Sequence, residues 1–504
     1  MPIAEQIAPP DAPVAPPTRE RSAHATLWAL ADLGGGQVAS FLIFLVLARV
    51  IGPAQYGIFA IAMSLYFLLT IIQYYGFADA IVQRPKIDVG FLDTVFWCDL
   101  ILASSLVAVA QLCAPLAAGV FGDPELDPMI RVLSLLSLLQ AMVTVPTALF
   151  RRALQMKVLA VRTLVSYAAG GCVGIILALR GYGVWALVDS QVAQYIAILC
   201  IMFWRSTWRP GLRARVNDLR ELVSFAGHFM FAYGVKLATD RTSQLFVGLF
   251  ASATDVGYYA LASRILLTMI TLTINPFERV GLPVLSRHAD NLPMFRTTYR
   301  KMVLVVNSIW TPSAVAFGIS APILIPVLFG SRWTPAASVL QAMSFMSPTL
   351  GLWFLSGQAL AALGQTHRFT HLSLCYVVLA FVAFPVSSYF GIVPAGAAWA
   401  VLSVLMVPLH LRTLNRVCGL PLRAILSDWS RVTLSAVVML AITLAVLGQL
   451  RPGIPALVVA LAAGSLAYVL LLELVLLPGY VGRMIMLLRG AISNGHSAPH
   501  EEPV

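Results

Sequence analysis

The stretch that decides the fold class is residues 30–69, LADLGGGQVASFLIFLVLARVIGPAQYGIFAIAMSLYFLL. It contains two apolar runs, and each approaches the ~20 residues that a helix needs to cross a bilayer. A short turn with Gly52 and Pro53 separates the runs, and polar and glycine-rich residues between Asp32 and Gln37 start the first one. The pattern therefore predicts a transmembrane helical hairpin.

The composition places the whole chain in the membrane. Its 504 residues are 59% hydrophobic and only 11% charged, whereas soluble proteins carry about 25% charged residues. The apolar segments do not alternate with polar residues, which favours α-helices over a β-barrel. The net charge of +11 comes from basic residues between the apolar segments, so we predict no nucleic-acid partner. The six cysteines are scattered, which predicts neither a disulfide framework nor a metal site.

Apolar segments recur along the chain and predict about fourteen membrane helices. The predicted parts are a cytoplasmic tail (1–24), a first lobe (25–204), a basic connector (205–222), a second lobe (223–416), a connector (417–430), a final helix pair (431–480) and a second cytoplasmic tail (481–504). The predicted helices are 25–48, 57–82, 91–119, 129–150, 161–179, 183–204, 223–250, 256–285, 299–329, 336–363, 370–390, 394–416, 431–450 and 454–478.

The loops between these helices differ in charge. Lys and Arg alternate from loop to loop, with a bias of about five to one towards the side that holds the N-terminus. Cytoplasmic loops of membrane proteins carry this excess of basic residues. We therefore predict that both termini are cytoplasmic.

The chain contains an internal repeat. Residues 50–62, VIGPAQYGIFAIA, share the order of Gly, aromatic residue, Ala and Ala with residues 250–262, FASATDVGYYALA. A second, shorter similarity within the repeat, called the second echo below, pairs residues 120–123, VFGD, with residues 328–331, LFGS. The repeat predicts two pseudo-symmetric six-helix lobes around a central cavity, which rock against each other in alternating access.

Charged residues inside the predicted helices are candidates for function, because charges are costly in a bilayer and usually face a cavity. Lys236, Arg241 and Arg264 could supply positive charge to an anionic headgroup, and Arg suits bidentate contact with phosphate. Lys236 and Asp240 also have the spacing of a structural ion pair. The residues are compatible with both interpretations.

A second group of polar residues could form a gate or couple transport to an ion. It comprises Asp32 and Gln37 in the first helix, Asp240 in the seventh helix and Asp189 in the sixth. Asp189 could instead cap its helix locally. Asp79 and Asp99 fall near the predicted cytoplasmic ends of their helices, and we expect them to be interfacial.

No motif for hydrolysis of ATP or of an ester is present. We predict that the chain has no catalytic residues and no cofactor and is not an enzyme. Five segments together resemble the polysaccharide-transport flippases, the Wzx-type members of the multidrug/oligosaccharidyl-lipid/polysaccharide exporter superfamily, over residues 31–416. These segments are ARVIGPAQYG (48–57), GFADAIVQR (76–84), PTALFRRAL (146–154), GVWALV (183–188) and FERVGLPVLSR (277–287).

The resemblance implies an inner-membrane flippase with two lobes and a cationic lumen. It would move an undecaprenyl-diphosphate-linked oligosaccharide for exopolysaccharide or lipopolysaccharide assembly, driven by an ion gradient. Lys236, Arg241 and Arg264 would face the diphosphate, and membrane lipids and polysaccharide polymerase or export machinery would be partners.

Two alternatives remain open at this point. The first is a drug or cation antiporter of the same superfamily, whose lumen should be acidic. The second is a membrane enzyme of polysaccharide assembly, which needs a sizeable external loop. The longest predicted external loop, residues 120–129, has only about ten residues.

Overall fold

The structure is a computed structural model that describes residues 19–74, 77–84, 87–215, 241–344, 349–451 and 453–476. These residues form helices and connecting turns, with no strand among them, and 12 of their helices are long and apolar enough to cross a membrane. The predicted all-helical membrane class is confirmed. The helices are α1 (Arg19–Ile51), α2 (Pro53–Tyr74), α3 (Phe77–Gln83), α4 (Val89–Phe121), α5 (Leu126–Ser134), α6 (Leu136–Arg152), α7 (Met156–Leu179), α8 (Trp185–Arg205), α9 (241–250), α10 (Ala253–Thr273), α11 (Asn275–Ser286), α12 (Leu292–Phe329), α13 (Pro335–Ser344), α14 (Leu350–Ala362), α15 (Thr366–Tyr389), α16 (Ile392–Cys418), α17 (Leu422–Gln449) and α18 (Ile454–Leu470).

The difference between 12 spanning helices and about fourteen predicted ones has two sources. The predicted helix 223–250 is described only over its last part, α9. The predicted helix 336–363 corresponds to α13 and α14, and residues 345–348 between them lie outside the described part of the chain.

Several predicted helices are interrupted. The predicted helix 256–285 breaks at Ile274, because Pro276 at the start of α11 has no N–H to continue the helix. The predicted helix 129–150 breaks at Leu135, whose N–H bonds to the carbonyl of Val132 in a tighter turn. Hydropathy does not detect these breaks, since both sides of each break are apolar.

The described part of the chain divides into two compact units. The first contains the described residues between 19 and 264 together with 328–333 and 373–395, and the second contains the other described residues. The predicted lobe boundaries stay predictions.

In the first unit, α3, α4 and α6 share an apolar core. Trp208 packs against this core, and the centre of its ring lies 5.6 Å from the centre of the Phe96 ring. In the second unit, α17 and α18 pack around Met439 and Tyr468, and the Tyr468 hydroxyl donates to the carbonyl of Ser308 at 3.0 Å. The second unit also holds an ion pair in which Arg300 donates to both oxygens of the buried Asp428, at 2.5 and 2.9 Å.

Candidate anion-binding site

Within the first unit, α2 and α10 cross with their backbones in contact. A Cβ atom built on Gly57 would lie 1.7 Å from the carbonyl oxygen of Ala253, and one built on Gly257 would lie 2.0 Å from that of Pro53. Only glycine fits such an approach, as at other close crossings of membrane helices. Gly57 and Gly257 are equivalent positions of the repeat, so the repeat contacts itself at this point.

The second echo of the repeat also has matching local structure. Gly122 follows α4 and Gly330 follows α12, and both adopt left-handed backbone angles, with φ of 69° and 98°. Glycine reaches this region without the strain that a side chain would add. Both copies of the echo therefore end a long helix in the same way.

Aromatic side chains surround the crossing. The rings of Phe44 and Trp333 lie 5.4 and 5.8 Å from the ring of Tyr56. Trp333 is fully buried, and its Nε1 donates to the carbonyl oxygen of Ala48 at 3.0 Å. These contacts attach the turn after α12 to the hairpin of α1 and α2, within the first unit.

Arg264 projects from α10 two turns beyond the crossing. It is seven residues after Gly257, so both residues lie on the same face of the helix. Its Nη2 donates to the hydroxyl of Ser40 on α1 at 2.5 Å. The guanidinium group therefore points towards α1 from a half-buried position in the apolar span.

Arg241 approaches the same hairpin from α9. Its Cζ lies 4.3 Å from the centre of the Phe67 ring on α2, which is a cation–π contact. One turn along α9, the Gln244 amide lies 3.1 Å from the hydroxyl of Ser64. Ser64 and Arg264 are equivalent positions of the repeat, seven residues after each crossing glycine.

The two arginines contact the two helices of one hairpin. Arg264 contacts Ser40 on α1, and Arg241 contacts Phe67 on α2. Two of the three basic residues predicted to bind an anion thus contact the hairpin of α1 and α2. Two guanidinium groups in an apolar region can present several N–H donors to phosphate oxygens.

The described contacts of Arg241 and Arg264 include none of the other predicted site residues. Lys236 and Asp240 lie outside the described residues. Asp32 and Gln37 are half-buried on α1, and the buried Oδ1 of Asp32 has no hydrogen-bond partner in the described part of the chain. Asp189 is half-buried on α8, and no described contact links it to Arg241 or Arg264.

Sequence reasoning missed the uncharged residues of the site, namely Ser40, Tyr56, Phe67 and Gln244. Hydroxyl and aromatic groups are common in membrane helices and give no signal alone. Tyr56 alone could have been found, because it directly precedes the repeated glycine.

Comparison with known proteins identifies the family. A family described as "Polysaccharide biosynthesis protein" matches residues 46–338, more than half of the chain. The chain belongs to this polysaccharide biosynthesis family. The resemblance to polysaccharide-transport proteins is thereby confirmed.

Curated relatives of this chain carry related names. One is the succinoglycan biosynthesis transport protein ExoT of Rhizobium meliloti (strain 1021), 23% identical over 62% of this chain and 63% of the relative. Another is the lipopolysaccharide biosynthesis protein WzxC of Escherichia coli (strain K12), 25% identical over 59% of this chain and 61% of the relative. The chain therefore spans about three-fifths of the length of these relatives.

Solved structures share the fold of this chain. The lipid II flippase MurJ in an inward closed conformation aligns with a TM-score of 0.74 and 14% identity, over 92% of this chain and 100% of that chain. An inward-facing multidrug resistance MATE family transporter aligns with a TM-score of 0.54 and 16% identity, over 78% of this chain and 95% of that chain. Both similarities concern the fold alone.

Proposed function

We propose that this protein is a flippase for lipid-linked oligosaccharides. It moves an undecaprenyl-diphosphate-linked repeat unit across the bacterial inner membrane by alternating access driven by an ion gradient. The product serves exopolysaccharide or lipopolysaccharide assembly, with both termini of the chain in the cytoplasm and a polysaccharide polymerase or export machinery downstream. The family match, the names of the relatives and the MurJ-like fold support this proposal.

The contacts of Arg241 and Arg264 with the hairpin of α1 and α2 are the observation that carries it. A lipid-linked diphosphate must bring its negative charge into a region of low dielectric, which requires compensating positive groups. Arg241 and Arg264 approach one hairpin from two helices, with the hydroxyl of Ser40 and the ring of Phe67 beside them. Planar guanidinium groups match the spacing of phosphate oxygens, and Lys236 would add a third charge.

A complementation experiment tests both the function and the site. The chain is expressed in a strain that lacks its own flippase, and surface polymer is measured together with the amount of protein in the membrane. Arg241→Gln and Arg264→Gln should abolish export at normal protein levels, while the corresponding Lys variants keep part of it. Arg131→Gln is the control, because Arg131 pairs with Asp127 at 2.7 Å, away from the site.

Each failure has a separate meaning. If both Gln variants exported polymer at the wild-type level, Arg241 and Arg264 would not be the substrate site, but the flippase function would stand. If the wild-type chain restored no export but conferred drug efflux, the flippase function would be wrong, and an antiporter would be the better assignment.

A further inference from the structure

Two fully buried acids on α4 have very different environments. Asp93 and Asp99 are both 0% exposed. Asp93 accepts backbone N–H groups from Gly211 at 3.1 Å and Arg213 at 3.3 Å. Neither oxygen of Asp99 has a hydrogen-bond partner in the described part of the chain. Asp99 thus packs between helices of the first unit, and its position near the membrane interface stays a prediction.

Polar groups from two neighbouring helices lie beside Asp99. They are the side chains of Gln73 on α2 and Thr144 on α6. Both already donate elsewhere, Gln73 to the carbonyl of Ser137 at 2.9 Å and Thr144 to the carbonyl of Gln140 at 3.1 Å. The buried Oε1 of Gln73 has no donor either. The two oxygens of Asp99 and Oε1 of Gln73 are thus buried acceptors without a hydrogen-bond partner in the described part of the chain.

No described basic side chain neutralises this carboxyl group. The described part of α2 carries no charged residue at all. The arginines of α5 and α6 contact other groups, and Cys98 is the titratable neighbour on α4 itself. The charged groups on the helices around α4 and their partners are Arg131 with Asp127 (2.7 Å), Arg151 with Asp79 (3.7 Å) and Arg152 with the carbonyl of Ile81 (3.0 Å).

An ionised carboxylate without a partner is not stable in such surroundings, so it must hold a proton or a cation. One carboxylate with neutral oxygen ligands balances a single positive charge. A divalent ion such as Ca²⁺ needs six to eight oxygen ligands and commonly several carboxylates. We propose that Asp99, Gln73 and Thr144 form a binding site for one monovalent cation, a proton or Na⁺.

The role of this site rests on the proposed function. An ion-driven flippase needs a group inside the membrane that takes up and releases the driving cation, and Asp99 supplies that group. The pair of Arg241 and Arg264 serves the anionic substrate, whereas the cation uses a separate cluster on α2, α4 and α6. Substrate and driving ion thus have separate sites in the first unit.

Binding can be measured on the purified full chain without substrate. Its melting temperature is followed against Na⁺ at constant pH, with choline replacing Na⁺, and against pH in Na⁺-free buffer. Infrared difference spectra of the same samples detect the carbonyl stretch of a protonated carboxylic acid. Asp99→Asn is the test variant, and Asp93→Asn is the matched control, because it alters a buried acid that the backbone already satisfies.

If Na⁺ is the ligand, the melting temperature of the wild-type chain should rise with Na⁺ concentration. If the proton is the ligand, the melting temperature should depend on pH, and the infrared spectrum should show the band of a protonated carboxylic acid. Asp99→Asn should lose that response and band, while Asp93→Asn melts at a lower temperature but keeps them. A full response in Asp99→Asn would overturn the site. If Asp99→Asn does not fold, Gln73→Leu and Thr144→Val replace it. A weakened response in both supports the site, and an unchanged response in both refutes it.

The complementation assay separates this inference from the proposed function. Asp99→Asn should lose polymer export in step with cation binding. Wild-type export by a variant that no longer binds the cation would refute the coupling role while the flippase function stands. Conversely, Asp99-dependent cation binding in a chain that restores no export would support the site and contradict the proposed function.

Discussion

The crossing of α2 and α10 makes a quantitative prediction about Gly57. In Gly57→Ala the new methyl group would lie 1.7 Å from the carbonyl oxygen of Ala253, and that oxygen belongs to the backbone and cannot rotate away. An ordinary contact is about 3.5 Å, so the two helices must separate by about 2 Å. Overpacking costs about 3 kcal/mol at the upper end of its usual range. Alanine stabilises a helix by about 1 kcal/mol relative to glycine. The free energy of unfolding should therefore fall by about 2 kcal/mol in Gly57→Ala.

Thermal unfolding of the purified protein checks this value. Gly119→Ala is the matched control, because Gly119 is also helical and no atom lies within 4 Å of the position that its new methyl group would take. It should be neutral or stabilising by up to about 1 kcal/mol. Gly57→Ala and Gly257→Ala open the same gap, so the double variant should cost less than the sum of the single ones. Equal melting temperatures for Gly57→Ala and Gly119→Ala would refute the backbone contact.

Three further predictions concern stability, each measured by the melting temperature. Trp333→Phe keeps the ring but loses the hydrogen bond to Ala48, at a cost of about 1 kcal/mol; no change would contradict a role for that bond. Arg300→Met leaves the buried carboxylate of Asp428 without its ion-pair partner and should lower the free energy of unfolding by about 2 kcal/mol. Adding Asp428→Leu should restore most of this stability. A double variant no more stable than Arg300→Met would disprove the pairing. Asp93→Ala leaves two N–H groups without an acceptor and should lower the free energy of unfolding by about 2 kcal/mol. Proteolysis within residues 206–215 should also be faster. Unchanged proteolysis would show that Asp93 does not hold this segment.

The membrane fold was predictable because the bilayer imposes a local rule. Each crossing needs about 20 apolar residues, and this length can be counted without knowing any tertiary contact. The interruptions were not predictable at Leu135, where the residues on both sides are apolar and only the backbone geometry changes. The break before Pro276 has a visible cause, but proline occurs inside other helices of this chain as well, including α4 and α12.

The candidate site was predictable in part for a similar reason. Arg241 and Arg264 stand out because charge is rare in membrane helices. Their contacts with Ser40 and Phe67 join helices far apart in the chain, and neither partner has a charge that would mark it. The repeated glycines at positions 57 and 257 were visible in the sequence, but not the fact that they touch each other.

The sequence by itself determined that the chain lies in a membrane, and it determined the fold class, the repeat and the family. These properties depend on the order of apolar, charged and glycine residues along the chain. The tertiary structure alone decided which buried groups have partners. Asp93 and Asp99 are the same residue type six positions apart on one helix. The segment 206–215 brings N–H donors to Asp93, whereas neither oxygen of Asp99 has a hydrogen-bond partner in the described part of the chain. Hydrogen bonding depends on segments that meet only after folding, so the difference between a structural acid and a candidate cation site is absent from the local sequence.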